Sequence, residues 1–195
     1  MSPVANNLHN LVDLAREGSS QGRRDLLREI TDLFFDEPAN LNQTAVDLFG
    51  DVIGDLVREM EMEVRAGLSE RLSHSPEAPS NVIETLANDE IDVARPFLSD
   101  SPVLGSEALI RIVKHRSQEH KLAISLRSQV DEATSAILVE EGNDTVVEAV
   151  VKNPGVLLSR KTLTKVVQKS EHNENLRQPL ISRQDLPADL MHQMF

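Results

Sequence analysis

The chain has 195 residues, enough to bury a core as one domain or one domain with an appendage. Five Phe, no Trp and no Tyr leave Leu, Val, Ile and Ala to fill that core, and with no Cys there is no disulfide, thiolate metal site or cysteine nucleophile. The net charge of −12 is uneven, nine net negative charges in residues 1–85 and three in 86–195, and such a chain repels a phosphate backbone unless it segregates a basic patch.

From the amino terminus, residues 4–17 and 20–35 each carry an amphipathic pattern, split by "EGSSQG", and "DEPANLNQT" separates them from a third element. There Ala45, Leu48, Val52, Leu56, Met60, Val64, Leu68 and Leu72 fall at spacings of three and four, which predicts one long helix over 44–72. Phe49, Ile53 and Val57 lie off that stripe, to face the first two helices or to form a homodimer seam. The opening residues lack a basic-then-apolar signal pattern, and no apolar run approaches the roughly 20 residues that span a bilayer. The expectation is a cytoplasmic protein with no membrane insertion.

A repeating pattern follows. Setting the polar residue after each apolar pair in register gives five anchors, Ser75, Ser101, Arg127, Asn153 and Arg183, spaced by 26, 26, 26 and 30 residues. Three and seven residues before them stand Leu72 and Leu68, Leu98 and Ala94, Ile124 and His120, Val150 and Val146, and Leu180 and Leu176, one stripe of a short helix A in which His120 alone is polar. After each anchor a loop leads to Ala78-Pro79, Leu104-Gly105, Val130-Asp131, Leu158-Ser159 or Leu186-Pro187, which suit helix starts. A second stripe, helix B, then recurs as Ile83, Leu86 and Ala87; Leu109, Ile112 and Val113; Ser135, Leu138 and Val139; Leu163, Val166 and Val167; Met191, Met194 and Phe195.

A pair of short helices cannot bury its apolar faces alone, so neighbouring pairs must stack. The predicted fold is all-α, a HEAT-like helical-repeat solenoid: residues 1–61 form an N-terminal helical cap, and residues 62–195 form about five stacked helix pairs continuous with it. The anchors sit where helix A runs out of intrahelical partners for its carbonyls, and Arg127 and Arg183 can donate to those carbonyls. Phe195 lies on the last apolar stripe, which expects either a longer array or docking on another copy or a partner.

Residues "GRRDLLREITDLFF", the stretch from "EVRAGLSERLSHSPEAPS" to "LGSEALIRIV", "AISLR", "VVKNPGVLLSRKTLTKVV" and "RQDLPADLMHQMF" together resemble a bacterial family known as domain of unknown function 2336, over nearly the whole chain. The resemblance implies HEAT-like or leucine-rich-repeat-variant solenoids with right-handed superhelical stacking, in proteins commonly longer than this one. It implies no activity and no catalytic residues.

Chemistry-bearing motifs are sparse. The eight glycines are scattered, with no phosphate loop. His9, His74, His115, His120, His172 and His192 include no HExxH and no i, i+4 pair, so no metal site and no cofactor are expected. His120 is read as a satisfied, partly buried histidine beside a solvated turn of Arg116, Glu119 and Lys121, with proton transfer as the alternative. Glu140-Glu141 and Asp89-Glu90 are placed beside helix ends or loops.

Cations gather on helix B. Arg111, Lys114 and Arg116 belong to the second copy, and Arg160, Lys161, Lys165 and Lys169 to the fourth; together they form a discontinuous basic strip, either a solvated face or a dock for an acidic protein segment. With no Trp or Tyr, base stacking falls to the five Phe, which disfavours nucleic acid. The leading functional expectation is a non-catalytic protein–protein scaffold or adaptor in bacterial regulation, with homodimerisation open. The alternatives are a helical-repeat hydrolase or lyase with a groove-assembled site, and nucleic-acid binding.

Overall fold

A computed structural model of the chain describes residues 19–36 and 43–194. Among the described residues every regular element is helical, apart from an isolated parallel bridge between Val130 and Val156. The chain divides into two compact units, Met1–Phe97 and Leu98–Phe195. The helix expected over 4–17 and the terminal Phe195 lie outside the described residues.

The first unit contains α1 (Ser20–Asp36), α2 (Gln43–Val57), α3 (Met62–Leu72), α4 (Ser80–Ala87) and the start of α5 (Ile91–Asp100). Helix α2 packs on α1 and α4, and α3 packs on α4. Phe49, Ile53 and Val57 are all buried, and the Phe49 ring meets Phe34 edge-on at 5.8 Å, so these residues belong to the core of the unit.

The single long helix expected over 44–72 is two helices. Glu59 and Met60 donate their amides only three residues back, to Leu56 and Val57, and Glu61 is extended at φ −67°, ψ 155°. No Gly or Pro causes the break. Arg24 Nε donates to Glu61 at 3.0 Å, Arg23 reaches Glu59 at 3.4 Å, and Arg65 Nη1 donates to the freed Met60 carbonyl at 2.8 Å. The Met60 side chain stays buried, so the apolar stripe runs through the break and periodicity cannot reveal it.

The second unit holds the remainder of α5, α6 (Ser106–His115), α7 (Gln118–Ser125), α8 (Glu132–Glu141), α9 (Asp144–Lys152), α10 (Arg160–Ser170), a 3₁₀ turn (Glu174–Leu176), α11 (Arg177–Ile181) and α12 (Ala188–His192). The helices in B positions touch in succession, α6 on α8, α8 on α10 and α10 on α12. Those in A positions do the same, α7 on α9 and α9 on α11. The fifth helix A is thus a 3₁₀ turn followed by a short α-helix.

In all five copies the second residue of the predicted start is the N-cap: Pro79, Gly105, Asp131, Ser159 and Pro187. The apolar residue before it, Ala78, Leu104, Val130, Leu158 or Leu186, is buried, fixing how the chain enters each helix. All ten positions of the A stripe are buried, His120 included. The B stripe is buried in four copies, and in the fifth Leu190 takes the buried place while Met191 and Met194 are half-exposed. Helix α12 ends at His192, so the spacing that put Met194 on its face no longer holds.

Ser135, the polar residue in the B stripe, is buried because its hydroxyl reaches the Leu157 carbonyl of the following loop at 2.6 Å. Burial of a hydroxyl without such a partner would cost about 1–3 kcal/mol.

Candidate interaction surface

The loops between helices A and B of the second unit are joined by side chains that reach back one copy. Arg127 donates to the carbonyls of Leu98 (2.9 Å) and Ser101 (2.7 Å), Asn153 to those of Ser125 (2.9 Å) and Arg127 (2.8 Å), and Arg183 to those of Val151 (3.2 Å), Asn153 (3.1 Å) and Val156 (2.9 Å). Carbonyls at the ends of α5, α7 and α9 are therefore met by the next anchor along the chain, not by the anchor at the helix's own end. Ser101 is buried and accepts from the Val103 amide in its own loop, while Ser75 is half-exposed.

The fourth loop differs from the others. From Asn153 to the cap Ser159 it is two residues longer than its counterparts, and the extra length lets it lie along the third loop. Val130 donates to the Gly155 carbonyl at 3.1 Å and Leu157 donates to the Val130 carbonyl at 2.9 Å. Gly155 comes so close that a Cβ there would stand 2.0 Å from the Ser128 carbonyl oxygen. Val156 turns inward and is fully buried, whereas Leu157 is 59% exposed.

Leu157 forms a ridge between two clefts. One, about 710 Å³, lies between Val151, Pro154 and Val156 on one side and Gln178, Pro179 and Arg183 on the other. The second, about 580 Å³, runs from Leu104 and Leu109 past Gln129 to Gly155. Pro154 and Leu157 border both. Leu126, 60% exposed, is a second large apolar side chain in these loops. Sequence periodicity gave no warning of Leu157; the extra loop length before "VLLS" was the available signal.

The carboxylates in these loops are held ionised. At Asp131 partial burial raises the pKa, but donors from the Ser106 hydroxyl and from the Thr134 amide and hydroxyl outweigh it, and the group sits below the ordinary Asp value. Asp185 is lowered chiefly by hydrogen bonds from Arg183, at 2.8 Å to each oxygen, against an opposing effect of burial.

The predicted basic residues lie elsewhere, on the B helices. Arg111, Lys114, Arg116, Arg160, Lys161 and Lys169 are exposed and Lys165 is half-exposed. Helix α8 separates the two groups, and it presents Glu132, Glu140 and Glu141. Arg160 pairs with Asp189, and Lys165 reaches Glu140 at 3.4 Å. A shallow depression of Glu140, Lys165, Lys169 and His172 marks that face.

His120 is 5% exposed, its Nδ1 lies 2.9 Å from the Ser117 hydroxyl, and it lines none of the three depressions above. Its neighbour Lys121, read as part of a solvated turn, is buried. Asp89 is committed to Arg65 by a two-pronged pair at 2.6 and 2.9 Å. Among the described residues no group of His, Asp and Glu is placed to hold a metal ion, and no helix is long and apolar enough to cross a membrane.

The described residues define an all-helical protein. A family profile described as "uncharacterised protein conserved in bacteria" (DUF2336) matches residues 93–195, and the chain belongs to that family. The match takes in the whole second unit and begins in α5, a shorter stretch than the resemblance over nearly the whole chain expected from the sequence. No curated protein and no solved structure matches the chain.

Proposed function

We propose that this chain is a non-catalytic protein-binding scaffold, a solenoid of HEAT-like helix pairs with a helical cap over residues 1–61 and about five pairs over 62–195. The succession of B-on-B and A-on-A contacts in the second unit supports the solenoid, since each helix finds its apolar partners in the next copy. Partner binding rests on one observation: Leu157 stands 59% exposed on a loop whose backbone is fixed by Val130, Ser135 and Arg183. A loop whose backbone is already bonded in place loses little entropy when a partner covers its exposed leucine, which lowers the cost of binding.

The test is affinity capture from a bacterial extract with mass spectrometry, comparing the wild type with Leu157→Asp and with Lys161→Glu/Lys165→Glu, after circular dichroism shows that all three fold. Loss of a specific protein only from Leu157→Asp places binding on the loop ridge. Loss only from the lysine variant moves it to the B helices, and retention by both removes the scaffold reading for these surfaces.

A further inference from the structure

The exposed charges of the two units form rows of matching length. On α2, Asp47, Asp51 and Asp55 recur every four residues and all are exposed. On α10, Lys161, Lys165 and Lys169 recur at the same interval, the outer two exposed and the middle one half-exposed. Residues four apart lie on one helix face, so each row runs about 12 Å along its helix. Helix α6 offers no comparable run, because Arg111 stands four residues from Glu107.

We propose that two copies of this chain dock by seating the Asp47, Asp51 and Asp55 row of one copy on the Lys161, Lys165 and Lys169 row of the other. Each copy carries both rows, so each offers the other a surface of complementary charge. The existing partners of these groups are weakly held. Asp47 accepts from Gln43 at 2.9 Å and Asp51 from Asn81 at 3.1 Å, both exposed amide contacts. Asp55 faces Arg58 at 3.2 Å with both side chains about two-thirds exposed, and Lys165 faces the exposed Glu140 at 3.4 Å. Exposed contacts of this kind contribute little and exchange readily for a row of opposite charge. The acidic excess of residues 1–85 places the complementary field on the first unit. This inference is independent of the Leu157 ridge.

Sedimentation velocity over a range of protein concentrations, at about 20 mM and about 500 mM salt, tests it because screening separates exposed charges at the higher value. The expected result is a concentration-dependent dimer at low salt that dissociates at high salt. Lys161→Glu/Lys165→Glu/Lys169→Glu and Asp47→Lys/Asp51→Lys/Asp55→Lys should each be monomeric with unchanged circular dichroism. Their equimolar mixture should restore the dimer, since each triple then meets its complement. The neutral triple Lys161→Gln/Lys165→Gln/Lys169→Gln, which introduces no repulsion, should weaken association at least about tenfold. A monomer at every concentration, a dimer that survives either triple, or a mixture that stays monomeric overturns the proposal.

Discussion

Arg183 donates to the carbonyl of Asn153 at 3.1 Å, so the anchor of the last sequence copy closes the loop opened by the anchor before it. The same guanidinium also satisfies Val151 and Val156 and grips Asp185, with only 8% of its side chain exposed. One planar cation thus fixes three carbonyls that no helix would otherwise satisfy.

Arg183→Lys should therefore behave almost as badly as Arg183→Ala. An ammonium is a compact charge that cannot reproduce the fork across three carbonyls and a carboxylate. Urea unfolding should show each variant destabilised by about 2–3 kcal/mol, the cost of unsatisfied groups that had been bonded to a charged donor. A lysine variant as stable as wild type would mean that the charge, not the geometry, matters.

Asn153→Ala removes the amide donors to Ser125 and Arg127, and Asn153→Asp replaces them with an acceptor facing two carbonyl oxygens. Loss of about 1–2 kcal/mol is expected for alanine and a larger loss at pH 7 for aspartate, with the aspartate deficit shrinking in acid as the carboxyl protonates. Thermal unfolding of both variants at pH 7 and in acid checks the order.

Two glycines should respond to alanine with opposite signs. Gly155→Ala forces a Cβ against the Ser128 carbonyl, and a cost of about 1–3 kcal/mol with rearrangement of the fourth loop is expected. Gly67 lies in α3 with nothing near its missing Cβ, so Gly67→Ala should stabilise by up to about 1 kcal/mol. Chemical denaturation of the pair measures both against one reference.

Asp131 gives a pH signature. Its folded pKa lies below the ordinary value of 3.8, so the stability it contributes is complete above that value and is lost as pH falls through the folded pKa. Asp131→Ala should cost about 1 kcal/mol at pH 7, the worth of an N-cap, and progressively less in acid, where wild type and variant should converge. A deficit that stayed constant from neutral pH into strong acid would show that the carboxylate's ionised form is not what caps α8.

Much of this architecture could be read from spacing. The five N-caps fall where an apolar residue is followed by Pro, Gly, Asp or Ser, because those residues either accept free amides or tolerate the extended conformation before a helix. The A stripe is buried even at His120, where Ser117 provides a partner. The candidate surface was not legible in the same way. The basic residues were found, but the acidic helix α8 that lies between their two groups is placed there by packing.

The sequence by itself determined the buried A stripe in five copies and the buried B stripe in four, because helical periodicity is a local property that a 26-residue recurrence repeats. It also placed the family, whose profile matches residues 93–195. Tertiary structure decided the rest. Arg23, Arg24 and Arg65 hold the break between α2 and α3, and it interrupts no local pattern. The anchors serve the preceding helix because the carbonyls they meet come within reach only once helix α9 lies on α7 and α11 on α9. Leu157 is pushed outward only because its longer loop, held by backbone bonds to Val130, must place Val156 in the core instead.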